Sequence, residues 1–208
     1  MADSFVRFSD GVNDVNIKAV DLGGGLYALA NGIVAGAAAI GSLAAGEAHI
    51  GEIGGKAQIS EMSVTMSTAG AYQANDFVGG NTVPITFPSC SRINAGYGGI
   101  IGAVLVDKAL QSASLELWLF DDIPTAPNDN AAWTVSDADA AKLVGVIPFS
   151  TYYASAANSV AMGTIANGIL PFKVAGAALK ALYGCVVTRG TPTYASGDLV
   201  IRLLIVQN

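Results

Sequence analysis

Between residues 116 and 139 the chain gathers one glutamate and five aspartates: Glu116, Asp121, Asp122, Asp129, Asp137 and Asp139. Carboxylates packed this densely could ligate calcium or form the acid pair of a glycosidase. A calcium loop of the EF type needs ligands at fixed offsets, a central glycine and a bidentate glutamate at its twelfth position. The stretch "DDIPTAPNDN" has none of that register and carries two rigid prolines. It reads as turn chemistry. The following "VSDADAAKLVG" reads as a short helix of two turns at most, with Ser136 as N-cap, Asp137 and Asp139 in the first turn and Gly145 as its stop. Capping and turns then use up the aspartates, and no metal ligands are expected.

Other reactive residue types are sparse. Glu47, Glu52, Glu61 and Glu116 are the glutamates. Glu116 sits mid-strand among leucines, where an inward carboxylate needs Arg92, Arg189 or Arg202 as partner and an outward one is simply exposed. His49 is the one histidine, in a glycine-rich stretch. Cys90 and Cys185 stand in apolar contexts, which favours buried free thiols and leaves a single disulfide open. No G-x-S-x-G elbow and no G-K-[ST] phosphate loop occurs, and the glycines of "NAGYGGIIGAVLV" lead into a strand, as a turn or bulge. No catalytic, cofactor-binding or metal-binding residue is assigned. Tyr152, Tyr153, Trp118 and Trp133 could stack on sugars, though such aromatics in a sandwich are usually core or interface anchors.

The elements that would hold these residues are strands. Residues 1–55 read as an N-terminal arm and connector: short alternating strands joined by glycine turns, then a Gly/Ala-rich run ending in "GEAHIGEIGG". An arm of this kind can pair with the sheet edge of a neighbour. Residues 28–45 contain a GxxxG, Gly32 to Gly36, yet rest on Ala and Gly and include Asn31, so they do not read as a membrane span. No signal peptide is read at "MADSFVRFSD".

Residues 56–208 read as the body. Strands are expected at "AQISEMSVTMS", "YGGIIGAVLVDKAL", "SASLELWLFD" and along the C-terminal stretch, with only one short helix. In "LELWLF" the leucines face one way and Glu116, Trp118 and Phe120 the other, so the strand should be covered on both faces or lie at an interface. The loop "VTRGTPTYASGDL" is expected to join neighbours in one antiparallel sheet, and "DLVIRLLIVQN" to lie centrally in a sheet. The fold class is all-β, a jelly-roll-like antiparallel β-sandwich with one short helix and an extended N-terminal β arm.

Composition sets the class of function. Of the 208 residues 52% are hydrophobic and 12% charged, against about 25% charged in an ordinary soluble domain. A chain so poor in charge points to a surface covered by copies of itself or a larger assembly, the alternative being a compact domain with a Ser/Thr/Asn surface. The net charge of −6 and scattered basic residues argue against gripping nucleic acid.

The stretches "SLELWLFDDIPTAPNDNAAWTVSDADAAKLVGVIPFS" and "LYGCVVTRGTPTYASGDLVIRLLIV" resemble virion structural proteins of tailed bacteriophages, over roughly residues 56–208. The N-terminal "VNIKAVDLGGGLYALA" is similar to short modules at the head of phage appendage and decoration proteins. The resemblance implies a capsid cement or head-decoration protein with a jelly-roll body, a homotrimer on the capsid surface that contacts the major capsid protein. No catalytic residue is carried over from it, and no cofactor, nucleic acid or membrane partner is expected. The alternative is a receptor- or glycan-binding module of a head or tail fibre.

Overall fold

The computed structural model describes residues 56–207 in full and, before them, the backbone of three strands, 4–9, 14–21 and 27–29. The chain divides into two compact units, Met1–Ile53 and Gly54–Asn208. In the first, β1 (Ser4–Ser9), β2 (Asp14–Asp21) and β3 (Tyr27–Leu29) form an antiparallel meander, with Val6 opposite Ile17 and Ala19 opposite Leu29. The strands of the arm thus pair with one another. The connector, His49, Glu47, Glu52 and the Gly32/Gly36 pair lie outside the described residues.

The second unit is an antiparallel β-sandwich. One sheet orders β11 (Tyr152–Ala154), β12 (Ser159–Gly163), β8 (Tyr97–Asp107), β16 (Leu199–Gln207) and β4 (Lys56–Ser63), with β13 (Leu170–Lys173) also on β8. The other orders β10 (Leu143–Phe149), β9 (Leu115–Phe120), β14 (Leu182–Thr188) and β6 (Phe77–Val78), with β7 (Ile85–Phe87) also on β14. A two-stranded ribbon pairs β5 (Gly70–Ala71) with β15 (Thr193–Tyr194). Among these strands the chain crosses from one main sheet to the other at every connection except the β9–β10 insert and the runs β11–β12–β13 and β6–β7.

Period-two alternation explains the core. Inward residues of the first sheet, such as Leu105, Ile201 and Leu203, meet Leu115, Leu117, Ile147 and Val186 of the second in one buried cluster. Gly163 lets the two layers approach, and Gly184 makes room for the Phe87 ring of its own sheet in the core. A Cβ on Gly184 would stand 2.7 Å from the Phe87 ring, and one on Gly163 would stand 2.5 Å from Ile147 Cγ2. The glycines of β8 act alike: Gly98 and Gly99 leave room for Phe172 and Ile169 to lie over the strand, and the ladder to β16 shifts register between Leu204 and Ile205, opposite 100–102.

Three local expectations are corrected. The loop 189–198 does not join neighbours. β14 already has β9 on one side and β6 and β7 on the other, so the chain crosses to the opposite sheet, where β16 fits between β8 and β4. Gly145 does not stop the helix: α1 (Asp137–Ala140) is a single turn, and Gly145 stands inside β10 at a register shift, under the Leu170 side chain. Ile59 does not share the inward face with Met62 and Val64; Ser60 points inward and Ile59 outward. β16 lies one strand in from the edge. Its inward residues are buried, while Val200, Leu204 and Val206 on its other side keep partial exposure.

Candidate interaction surface

The two sheets present very different outer faces. On the sheet containing β9, the outward row Trp118, Phe120, Tyr183, Cys185 and Val187 joins Phe77 in a second apolar cluster. It is covered by the insert 121–142, which lays Ala126, Trp133 and Val135 over it. Trp133 contacts Phe77, Trp118 and Phe120 at ring-centroid distances of 6.0, 5.8 and 6.4 Å. The insert that holds the aspartates is therefore a lid built from the chain itself.

Its carboxylates hold that lid in place. Asp129 is buried and accepts hydrogen bonds from the Thr68 and Gly79 amides and the Tyr72 hydroxyl, at 2.7, 3.1 and 2.9 Å. These bonds tie the insert to the loops around β5 and β6. Burial, and after it the hydrogen bond to Asp129, pushes the Tyr72 phenol well above its usual range. Asp139 accepts from Lys142 Nζ at 3.0 Å and from the Ser136 hydroxyl at 2.9 Å. The Lys142 hydrogen bond leads in holding its carboxyl down to about 2. Ser136 caps α1 by accepting from the Asp139 amide, as the sequence suggests. A polar hollow of about 200 Å³ beside Thr125 and Thr134 includes Asp139, already engaged with these partners.

Glu116 points to this outer side, half-buried, and pairs with Arg189 at 2.7 Å while accepting from Trp118 Nε1 at 3.0 Å. The Arg189 hydrogen bond is the chief cause holding its carboxyl below the ordinary range. Arg202 pairs instead with Glu61. Cys90 lies in the inter-sheet core and Cys185 in the cluster under the insert, on opposite sides of one sheet; both are free. Burial pushes their thiols up to about 11 and about 12. The four aromatics considered for sugar stacking do not share one open surface: Trp118 and Trp133 pack on each other under the insert, away from Tyr152 and Tyr153. Trp133 is buried, Trp118 is half-buried, Tyr152 turns inward and bonds the Ala113 carbonyl, and Tyr153 points out on the opposite sheet. Among the described residues, no three His, Cys, Asp or Glu side chains converge as a metal site, and no helix is long and apolar enough to cross a membrane.

The outer face of the other sheet has no such lid among the described residues. Ladder partners share a face in an antiparallel pair, so its outward rows can be read from the register. One row runs Tyr153, Val160, Val106, Val200. The next is Met162, Val104, Arg202, Glu61, followed by Leu204 and Ile59, with Val206 and Ala57 beyond. Tyr97 lies at one end under Lys173 Nζ, which stands 5.3 Å from its ring centroid. Between Ile59, Ile101 and Leu204 is an apolar hollow of about 300 Å³. A groove of about 480 Å³ runs between β4 and β7 past Met62, Val83 and Ile85, and none of its lining residues is titratable.

Comparison with known proteins adds little. No family model and no curated protein matches the chain. Among solved structures it is similar to one titled "Structure of infectious bursal disease virus Gx strain", at 15% identity and a TM-score of 0.18. That match covers 95% of this chain and 44% of the viral one. A likeness at that score carries no argument, so function rests on the surfaces.

Proposed function

We propose that this chain is a structural protein of a tailed-phage virion, a capsid cement or decoration subunit that bridges and stabilises major capsid protein subunits. The reading assigns it no reaction: its activity is contact. One observation carries it. The body covers one apolar sheet face with its own insert and leaves the other wide, apolar and nearly without ionic groups. Monomers seldom expose contiguous apolar patches beyond a few hundred Å² unless a partner covers them. The residues with the chemistry to act, Glu116, Asp129 and Asp139, are engaged in holding the fold. The resemblance of residues 56–208 to phage virion proteins supplies the setting. A subunit that binds only the assembled shell stabilises it by mass action.

The test is co-sedimentation of the full-length chain with capsid shells of the encoding phage that lack it, together with the temperature at which those shells open. Saturable binding and a raised opening temperature are expected. Free chain left in the supernatant at micromolar concentrations, with the opening temperature unchanged, would remove this reading.

A further inference from the structure

We infer that the outer face of the β11-β12-β8-β16-β4 sheet, which no described segment covers, packs against the same face of a second copy of this chain, forming a two-fold pair. This deepens the reading of the chain as a contact protein and rests on it.

Three observations select a second copy. The first is area. Ile59, Tyr97, Ile101, Tyr153 and Met162 are 65%, 55%, 47%, 69% and 58% exposed. Side chains of that size leave about 600 Å² open, and the half-exposed valines between them bring the face near the ~800 Å² that each partner gives a standard interface. The second is charge. The chain carries −6, which repels copies of itself, yet the ionic groups in the outward rows are Glu61, Arg202 and Lys173, with Glu61 and Arg202 already paired. This face therefore carries no excess negative charge. Across a two-fold axis the Glu61–Arg202 pairs add no net charge, and the one remaining cation, Lys173, is exposed over Tyr97 at one end of the face. The third is shape. Twisted sheets pack face to face at about −30° with side chains interdigitating, and a shared twist makes two identical faces fit in that way. The opposite sheet meets the same need with Trp133 and its own insert; here a second molecule meets it.

Pairing through one shared patch is isologous and closes at two copies, whereas a ring of three needs two different patches. The geometry thus points to a dimer in place of the homotrimer implied by the phage resemblance.

Sedimentation equilibrium of the full-length chain without shells tests this. The expected mass is about twice 21.0 kDa. Met162→Lys and Ile101→Asp should each raise the pairing Kd at least about tenfold while circular dichroism and melting stay native. Ile123→Lys, on the insert, should leave the dimer intact. Hydroxyl-radical labelling of the unmutated chain gives a second readout, with Tyr153 and Met162 protected at high concentration and labelled on dilution. A monomer, which would mean the face is covered within the chain or only by the shell, overturns the inference. So do a trimer, a dimer indifferent to both face variants, or labelling independent of concentration. Pairing without shell binding would leave this inference standing and remove the virion reading; shell binding without pairing would do the reverse.

Discussion

Trp133 lies across Phe77 with ring centroids 6.0 Å apart and planes 24° from parallel. Trp133 comes from the insert and Phe77 from the edge strand β6, so this contact closes the lid over the outer face of the sheet. Trp133→Ala should cost about 3–5 kcal/mol, the usual loss for a large buried ring. Trp133→Phe should cost less than half of that. It keeps a ring over Phe77 and removes a buried indole N–H that makes no hydrogen bond to the chain. Urea unfolding followed at Trp118 measures both, and a loss under about 1 kcal/mol for the alanine variant would mean the lid contributes little.

The pH dependence of stability should report on Asp139. Lys142 and Ser136 hold its folded carboxyl down to about 2, below the value of about 3.9 for an unfolded aspartate. As pH falls the unfolded chain takes up this proton first, so acid favours unfolding. The contribution is complete above about pH 4 and is lost as pH falls to about 2. Asp139→Asn should lower stability at pH 7 by about 1–2 kcal/mol. The gap from the parent should narrow steadily below pH 4. A gap that stays constant from neutral pH to pH 2 would contradict the assignment.

The two thiols should be silent in the native state. Cys90 and Cys185 are fully buried with raised thiol pKa values of about 11 and about 12, and the thiolate is the reactive form. An aromatic disulfide reagent at pH 8 should titrate no thiol in native protein and both in guanidinium. Prompt reaction of either cysteine in the folded chain would show that its layer opens readily.

Legibility in the sequence followed the range of the physics involved. Alternation in "LELWLF" gave its two-sided burial correctly, because the period of a strand is a local property. The same rule misplaced Ile59: "QISEM" changes parity, and only the ladder to β16 tells which side faces the core. The aspartates of the insert read correctly as structural where the cue was local, as with Ser136 and Asp139. The partners of Asp129, Thr68, Tyr72 and Gly79, lie about fifty to sixty residues away, and no spacing rule reaches that far. The sequence offered Glu116 an arginine only if it pointed inward, and exposure otherwise; it points outward, half-buried, where strand order brings Arg189 beside it and sends Arg202 to Glu61.

By itself the sequence determined an all-β chain short of ionic groups, because strand periodicity and charge count are carried residue by residue. Tertiary structure alone decided where the unmet apolar surface falls. Sheet order and register are set by contacts between distant segments, and they put one outer face beneath the chain's own insert and leave the other without cover from the described residues.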